Sequence, residues 1–330
     1  MQADVIVIGA GAAGLMAAAA LAEAGKKVTV LEARHEGGGR IRTIADGAFQ
    51  QPVEGGAEFM HGKPVLTREL LQKAALTTVE AGGDIWRSEE GKLKKQEDFI
   101  VEYDALMAAL KSLKKDVTVA HFLQTHFSLP KHQQLHQTLK NYVEGYYAGD
   151  MQKASAFALR EELEGAEDED SRIEGGYAGL IAYLQQQCEA AGVQFYFNTP
   201  VTRIQWQKES VVVSAEGGQQ YKAAKVVVSV SVGVLQQEEI QFIPSINQKI
   251  AAAQQLGFGG VIKVVFQLKT PFWKKDFGMN EMGFLFSSEQ IPTWWTQHPQ
   301  ERNLLTGWCA GPPAVALKEE TDEALFEIAE

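Results

Sequence analysis

Residues 3–14 read ADVIVIGAGAAG, and this stretch decides the fold of the first part of the chain. Its β-branched residues predict a strand at 4–8, and the G-x-G-x-x-G pattern after it opens an alanine-rich helix that runs to about residue 24. A second apolar run at 27–32 predicts another strand. This βαβ order predicts an α/β fold that begins with a parallel, Rossmann-like sheet.

Each glycine of the pattern has a physical task. Gly9 allows the tight turn, Gly11 lets the backbone approach a pyrophosphate, and Gly14 lets the helix pack close to the strand. Glu32 ends the second strand, where its carboxylate accepts hydrogen bonds from a ribose diol and disfavours a 2′-phosphate. A glycine-rich turn without a ligand is the alternative interpretation. The pattern alone does not separate NAD from FAD.

Two further glycine-rich loops follow early in the chain. Residues 36–43 read EGGGRIRT, and residues 54–62 read EGGAEFMHG. The guanidinium of Arg40 is close enough in sequence to reach the same pyrophosphate, because charged N–H donors bind phosphate oxygens. Two such loops predict a ligand that lies along the first domain.

Composition and charge exclude one large class of partner. The chain has 330 residues, 45% of them hydrophobic, and a formal net charge of −11. This charge repels phosphate backbones, so nucleic acid is excluded as an expected partner. The two cysteines, Cys188 and Cys309, are too few for a disulfide framework and indicate a reducing compartment.

The uncharged residues 5–22 approach the length of a membrane-spanning helix. Glycine and alanine dominate this stretch, and no positively charged segment precedes it, so neither a membrane span nor a signal peptide is predicted. We expect a cytoplasmic protein with no membrane segment. Its oligomeric state is not predicted.

Apolar spacing predicts a helical insertion and then a return of strands. Between 63 and 160 the spacing is mostly helical, at 66–75, 103–113 and 135–147. The acidic residues 161–170 predict a solvated loop without a chemical role. After a helix that ends near 191, strands are predicted at 193–198, 201–207, 210–215, 225–230 and 261–269.

Several segments in colinear order resemble the flavin-containing amine oxidases, which include monoamine oxidases, polyamine oxidases and flavin-dependent histone demethylases. They are VIGAGAAGL at 7–15, LEAR at 31–34, GGRIRT at 38–43, EGGAEFMHG at 54–62, IEGGYAGLI at 173–181, FNTPV at 197–201, VSVSVGVL at 228–235 and GFGGVIKVVF at 257–266. An ordered series that spans nearly the whole chain is much more specific than any single motif.

The resemblance implies FAD as the cofactor, an amine as the substrate and O2 as the electron acceptor. It implies an FAD-binding domain at 1–80 and 172–240, interleaved with an α+β substrate domain at 81–171 and 241–330. The implied reaction is hydride transfer to flavin N5, which gives an imine, then a carbonyl compound, and H2O2. Position by position, the expected cofactor-binding residues are Gly9, Gly11, Ala13, Gly14, Glu32, Ala33, Arg34, Gly39, Arg40, Gly56, Ala57, Glu58 and Val201.

Lys263 is the expected catalytic residue. By strand alternation it shares a face with Val261 and Val265, so an ammonium lies among apolar neighbours. The resemblance implies that this lysine holds a water against flavin N5. An exposed lysine is the alternative, because Gln267 and Lys269 continue the same face.

His61 is the expected substrate contact, because the resemblance aligns it with a position that is histidine or glutamate in polyamine oxidases. A histidine that only forms a loop hydrogen bond is the alternative. His132 and His136 have the spacing of two ligands on one helix face, but without a third ligand we expect a solvated helix face rather than a metal site.

Three tryptophans, Trp294, Trp295 and Trp308, are candidates for the lining of an apolar pocket, with ordinary core packing as the alternative.

Two alternatives to amine oxidation stay open, which are a related flavin desaturase or dehydrogenase, and a non-catalytic flavin-fold binding or scaffold protein. The second arises because the family pattern continues beyond residue 330 into another FAD-contacting segment. The helix predicted from about 319 also reaches Glu330 without a stop signal. We therefore expect these 330 residues alone to bind FAD weakly and to show little amine oxidation.

Overall fold

The structure is a computed structural model that describes residues 3–45, 47, 49–89, 91–97, 99–165 and 170–330. The strands are β1 (Ala3–Ile8), β2 (Val28–Leu31), β3 (Thr43–Ile44), β4 (Val53–Glu54), β5 (Met60–His61), β6 (Thr78–Ala81), β7 (Asp84–Glu89), β8 (Lys92–Gln96), β9 (Asp170–Ile173), β10 (Gln194–Tyr196), β11 (Val201–Gln207), β12 (Ser210–Ala215), β13 (Gln220–Val228), β14 (Gln241–Ile243), β15 (Val261–Gln267), β16 (Met282–Phe286), β17 (Thr293–Trp295) and β18 (Leu304–Ala310).

The helices are α1 (Ala12–Glu23), α2 (Val65–Lys73), α3 (Tyr103–Ser112), α4 (Val119–His126), α5 (Gln133–Lys140), α6 (Ala156–Gly165), α7 (Ala178–Ala190), α8 (Val232–Gln236), α9 (Asn247–Gln254), α10 (Phe272–Lys275), α11 (Pro312–Ala316) and α12 (Asp322–Ala329). Short 3-10 turns occur at Pro130–His132 and Glu216–Gly218, and a π-helical turn occurs at Asn141–Tyr146.

The described residues divide into two compact units, each made of separate chain segments. The first unit contains Met1–Glu58, Pro64–Thr78 and Ile173–Leu256. The second unit contains Phe59–Lys63, Val79–Arg172 and Gly257–Glu330. Which of these segments bind FAD and which bind substrate stays a prediction.

The first unit is built on a sheet with the strand order β10-β2-β1-β13-β12-β11-β14. The strands β10, β2, β1 and β13 pair with one another in parallel, whereas β12 is antiparallel to both β13 and β11. The order β1, α1, β2 with parallel pairing confirms the βαβ unit predicted from the first glycine motif. It brings the carboxyl ends of β1 and β2 to one edge, where an α/β sheet binds ligands.

The core of the first unit explains why its strands lack polar alternation. Ile6, Ile8 and Leu31 are buried together with Ile204 and Val213 from the antiparallel part of the sheet. Parallel strands that are covered on both faces read as continuous apolar runs, and this pattern made β1 and β2 predictable.

The second unit contains a sheet with the order β15-β18-β17-β16-β7-β8. Its pairs are antiparallel except for β16 with β7. One face of the sheet packs on a core that includes Trp273, Met279 and Leu305. A separate helical part, α3 to α6, closes around the fully buried Phe122, with 0% of its surface exposed, and around Leu135.

The region predicted as mostly helical contains the helices α2 to α6, as expected, but it also contains the strands β6, β7 and β8, which were not predicted. Only Leu93 of β8 packs on the core, and lysines and a glutamine fill the rest of that edge strand, so it has no apolar alternation to detect.

The acidic stretch is also not simply a loop, because α6 continues to Gly165 and Asp170 begins β9. Residues 166–169 of that stretch lie outside the described residues.

Candidate functional site

The glycine turn in the first unit has the shape that a pyrophosphate requires. Gly9 has φ +101°, a conformation that side chains rarely adopt, and a Cβ on Gly14 would lie 2.0 Å from the Gly9 carbonyl oxygen. Both positions therefore require glycine for backbone reasons. A Cβ on Gly11 would instead make only an ordinary contact, with the Gly38 carbonyl oxygen at 3.9 Å. Gly11 lies at the N-terminus of α1, where N–H groups attract phosphate.

The second glycine-rich loop lies directly beside this turn. Gly38 donates its N–H to the Ala10 carbonyl at 2.9 Å and forms a parallel bridge with Gly11. A Cβ on Gly39 would lie 3.6 Å from the Gly11 Cα. The two loops predicted to hold one ligand are therefore adjacent, and the exposed Arg40 follows at their junction.

The third loop is packed against the same junction. Ala57 donates its N–H to the Arg40 carbonyl at 3.1 Å, and a Cβ on Gly56 would lie 2.1 Å from that oxygen. Glu58 is buried, whereas Ala57 and Ala13 of the first α1 turn are exposed.

Glu32 is fixed at the end of β2 by the backbone around it. Its carboxylate accepts hydrogen bonds from the N–H groups of Ala10 at 2.7 Å and Arg34 at 2.9 Å. The Glu32 carbonyl accepts from Thr199 at 2.8 Å, which brings the segment before Val201 to this carboxylate. Each carboxylate oxygen has two lone pairs, so a ribose diol fits this arrangement.

The other residues near Glu32 that are predicted to bind the cofactor have different environments. Ala33 and Arg34 are exposed, and the Arg34 guanidinium donates to the Gly39 carbonyl at 2.9 Å. Val201 is buried in the sheet, with 8% of its surface exposed. A role for Val201 therefore rests on its backbone.

A cap that the sequence did not reveal connects the third loop to α7. Glu54 accepts the N–H of Tyr177 at 2.5 Å and the hydroxyl of Thr43 at 2.9 Å. The Thr43 oxygen in turn accepts the N–H of Ala178 at 3.0 Å. These contacts satisfy the first N–H groups of α7 and fix where the loop at 54–58 begins.

Lys263 lies on an aromatic face of the sheet in the second unit. Its Nζ lies 5.4 Å from the ring centroid of Trp295, and it is directly opposite Trp308 in the β15–β18 register. The ring of Phe59 lies 5.4 Å from that of Trp295, and the Arg172 guanidinium lies 4.5 Å from the Phe59 ring. Lys263 is half-buried among these rings, so the apolar environment predicted for its ammonium is present.

The three tryptophans do not share one surface. Trp295 and Trp308 lie on the face of Lys263, with ring centroids 5.9 Å apart. Trp294 points to the other face, where it packs in the core and donates its indole N–H to the Ile291 carbonyl at 2.8 Å. The prediction that all three tryptophans line one pocket is therefore wrong. Trp294 and Trp295 are consecutive residues of one strand, so their side chains point to opposite faces of the sheet.

His61 is joined by two residues that the sequence did not connect with it. Its Nδ1 lies 2.8 Å from Oδ1 of Asp170 and 2.7 Å from the hydroxyl oxygen of Tyr146. Asp170 pairs with His61 across β5 and β9, and Tyr146 comes from the π-helical turn. No local sequence signal connects residues that are so far apart, and Asp170 belonged to a stretch expected to have no chemical role.

The histidine pair in the helical part is structural. The His132 ring contacts the Glu102 carboxylate at 2.8 Å, and His136 contacts the Phe127 carbonyl at 2.9 Å. Both histidines are half-buried rather than solvated, which corrects that prediction. Within the described residues, no group of His, Cys, Asp and Glu side chains has the arrangement of a metal site.

The helices of the described chain include none that is long and apolar enough to cross a membrane.

Comparison with known proteins adds independent information. The family profile for flavin-containing amine oxidoreductases matches residues 12–329. Probable polyamine oxidase 4 of Arabidopsis thaliana is 29% identical over 308 residues, which cover 83% of this chain and 59% of that protein. Lysine-specific histone demethylase 1 homolog 2 of Oryza sativa subsp. japonica is 29% identical over 299 residues, which cover 84% of this chain and 38% of that protein. The chain thus spans less than two thirds of the length of either relative.

Solved structures show the same fold. A triple mutant of putrescine oxidase with redesigned cofactor binding is 25% identical, with a TM-score of 0.78, and the match covers 98% of this chain and 78% of that one. Cyclohexylamine oxidase from Brevibacterium oxydans is 22% identical with a TM-score of 0.79, which supports the fold alone. Since the family profile matches nearly the whole length of the chain, this protein belongs to the family of flavin-containing amine oxidoreductases.

Proposed function

We propose that this protein uses FAD to oxidise an amine at the carbon next to nitrogen, giving an imine that water hydrolyses to a carbonyl compound. FAD, when bound, would supply a two-electron acceptor at its N5, with O2 as the final oxidant, so that H2O2 and the ammonia or amine released from the imine complete the products. The substrate is the neutral form of the amine, because the nitrogen lone pair supports loss of hydride from the adjacent carbon.

The observation that carries this proposal is the junction of the glycine turn with the loop that contains Gly38 and Gly39. The Gly38 carbonyl oxygen lies beside Gly11, 3.9 Å from the position of a Cβ there. Arg40, two residues further along the same loop, is exposed. A pyrophosphate at the α1 N-terminus then gains a second cationic contact. This double contact supports FAD rather than NAD as the ligand.

The residues of the chain divide the remaining tasks. Glu32, already held by two backbone N–H groups, takes the ribose diol, and the Arg40 guanidinium takes the pyrophosphate. Lys263 holds a water for the reacting centre, and the aromatic rings around it lower the local polarity. His61 contacts the substrate, with Asp170 fixing the orientation of its ring.

A non-catalytic flavin-binding protein is the second candidate. It is favoured by one observation, that Glu32 and the two adjacent glycine-rich loops proposed to hold the cofactor all lie within the first unit and can act without a reaction. A related dehydrogenase is distinguished from an oxidase by peroxide formation, so one experiment separates all three.

The test is to load the purified chain with FAD and to mix it anaerobically with aliphatic mono- and diamines. Bleaching of the flavin absorbance by an amine, slow for these 330 residues alone, followed by H2O2 on admission of air, is the expected result. Bleaching without peroxide indicates a dehydrogenase. Retention of FAD without bleaching by any amine contradicts amine oxidation and indicates a binding protein.

A further inference from the structure

Ser229 lies directly against the glycine turn of the first unit, at the first position after β13. Its hydroxyl oxygen is 2.8 Å from the Ile8 carbonyl oxygen and 3.2 Å from the Gly9 carbonyl oxygen. Its own N–H also donates to the Ile8 carbonyl, at 2.9 Å. A serine hydroxyl carries one hydrogen, so Ser229 shares that hydrogen between two consecutive carbonyl groups of the turn.

The same oxygen fills the space beside two glycines. A Cβ on Gly9 would lie 2.8 Å from the Ser229 Oγ, and a Cβ on Gly14 would lie 2.6 Å from it. Both distances are too short for a Cβ contact, so the hydroxyl is packed against the glycine backbone without room for a methyl group between them. Removal of this oxygen therefore takes a hydrogen bond and a packing contact from the turn.

The Gly9 carbonyl belongs to the peptide unit that also carries the Ala10 N–H. A trans peptide unit is planar, so its carbonyl and its N–H point in opposite directions and turn together. The carbonyl contacts Ser229 on the side of β13, and the N–H donates to the Glu32 carboxylate at 2.7 Å on the side of β2. Because β1 lies between β2 and β13, this single peptide unit connects Ser229 with Glu32 across the end of β1.

We propose that Ser229 is a positioning residue for the cofactor, which fixes the Gly9–Ala10 peptide and thereby aims the Glu32 carboxylate at the ribose diol. Ser229 acts through the backbone. The Arg34 N–H also holds Glu32, at 2.9 Å, so loss of the Ser229 hydroxyl loosens the carboxylate without releasing it. This inference rests on the proposed use of FAD and adds to it a residue outside the glycine motif.

The first measurement is the affinity of the chain for FAD, by titration of flavin fluorescence. Ser229→Ala is expected to weaken FAD binding about three- to tenfold, the usual effect of one lost hydrogen bond. Ser231→Ala is the matched control, because the Ser231 hydroxyl caps α8 by accepting the Val234 N–H at 3.4 Å. It removes the same group two residues further along the chain and is expected to leave the affinity for FAD unchanged.

A double-mutant cycle tests whether Ser229 acts through Glu32. Glu32→Ala removes the carboxylate that Ser229 is proposed to aim. In that background, Ser229→Ala is expected to change FAD affinity less than about twofold, because residues that act through one another have non-additive effects.

Amide hydrogen exchange in the FAD-free chain gives a second measurement that needs no cofactor. The Ala10 N–H is expected to exchange about three- to tenfold faster in Ser229→Ala than in the native chain, and at the native rate in Ser231→Ala. The N–H of Ile6, inside β1, is the internal reference, because a general loss of stability accelerates exchange at both positions.

Native FAD affinity in Ser229→Ala overturns the inference. So does a loss of affinity that persists in full beside Glu32→Ala, or an increase in exchange that is equal at Ala10 and Ile6. A native chain that binds no FAD refutes the proposed function instead. Faster exchange confined to Ala10 then still supports the positioning of this peptide by Ser229.

Discussion

Gly11 and Gly14 belong to one motif, but the structure gives them different physical reasons to be glycine. A Cβ at Gly14 would lie 2.0 Å from a backbone oxygen, so even alanine there displaces the chain. A Cβ at Gly11 has its nearest neighbour at 3.9 Å, and the φ of −71° and ψ of 172° suit any residue. The requirement at Gly14 comes from the fold, whereas at Gly11 the fold tolerates a Cβ, and the proposed requirement for glycine there comes from the cofactor.

This difference gives the first prediction. Gly11→Val is expected to abolish FAD binding while the melting temperature of the FAD-free chain stays within about 2 °C, since the added Cβ makes only an ordinary contact and the loss of glycine at a helix N-cap costs about 1 kcal/mol. Gly14→Ala is expected to lower both FAD binding and the melting temperature of the FAD-free chain. Flavin absorbance after gel filtration and thermal unfolding measure the two effects.

Gly257→Ala serves as the control, because its Cβ meets open space and lies in another segment. Unchanged flavin occupancy in Gly11→Val rules out the pyrophosphate assignment.

Lys263 carries the second prediction. Lys263→Met keeps the length and apolar stem that pack near Trp295 but removes the ammonium. Flavin reduction or reoxidation is expected to slow about 100-fold, the low end for a positioned electrostatic group. Stopped-flow absorbance separates the two half-reactions, and native rates in both would exclude the role.

The thiols give a third prediction. Cys188 and Cys309 are both buried, with 0% of their surface exposed, and burial raises the pKa of Cys188 to about 11. At pH 8 iodoacetamide is expected to modify Cys188 at least about 100-fold more slowly in the folded chain than in denaturant, because the thiolate is the nucleophile. Mass spectrometry of timed samples measures both rates.

The raised pKa of Cys188 also makes the stability of the folded chain depend on pH. An exposed thiol ionises near pH 8.5, so the contribution of the buried thiol is complete below that pH and is lost as the pH rises towards 11. Cys188→Ala is expected to reduce this alkaline loss of stability. Rapid alkylation of the folded chain at pH 8 would contradict the buried, neutral thiol.

Individual site residues could be predicted from the sequence where they lie in neighbouring segments of the chain. The glycine turn, Glu32 and Arg40 come from neighbouring segments with a known motif, so their proximity followed from the motif. His61, Tyr146 and Asp170 come from three separate elements, and only the tertiary fold brings them together.

Among the elements, α7 begins on a cap built from side chains of two short strands. The carboxylate of Glu54 and the hydroxyl of Thr43 accept the N–H groups of Tyr177 and Ala178. Glu54→Ala is expected to destabilise the chain by about 1–2 kcal/mol, the usual cost of a lost cap. It is also expected to weaken FAD binding, because Glu54 begins the loop at 54–58 proposed to lie at the cofactor.

Thr118→Ala provides the comparison, since the Thr118 hydroxyl caps α4 in the second unit by accepting the N–H of His121. It is expected to lower stability by a similar amount without changing FAD affinity. Urea unfolding and flavin titration of both variants measure the two quantities. Equal losses of FAD affinity in both variants would show that the effect of Glu54→Ala is only a general loss of stability.

Apolar periodicity predicted the long helices and strands. It missed the π-helical turn and the edge strand β8. The continuous helix expected at 135–147 is divided into α5 and the π-helical turn at Asn141–Tyr146, because one extra residue in a turn leaves apolar spacing nearly unchanged. The edge strand β8 is charged because solvent covers one side of it. Neither feature produces an apolar pattern of its own.

For the molecule as a whole, the fifth prediction concerns the cofactor. A ligand that binds only the folded chain at 100 times its dissociation constant adds about 2.7 kcal/mol of stability, or roughly 4 °C in melting temperature for a chain of 330 residues. FAD is expected to produce such a shift, and NAD at the same concentration is not. Equal shifts with both, or none with FAD, would contradict the choice of cofactor.

The position of β1 between β2 and β13 has a consequence for biosynthesis. Ser229, just after β13, bonds to the Ile8 carbonyl at the end of β1 although 221 residues separate them. At about 5–20 residues per second, a ribosome needs roughly 10 to 45 s to make that span. For this time the nascent chain holds an apolar strand with one edge unpaired, and that edge is open to pairing with other chains until β13 has been made.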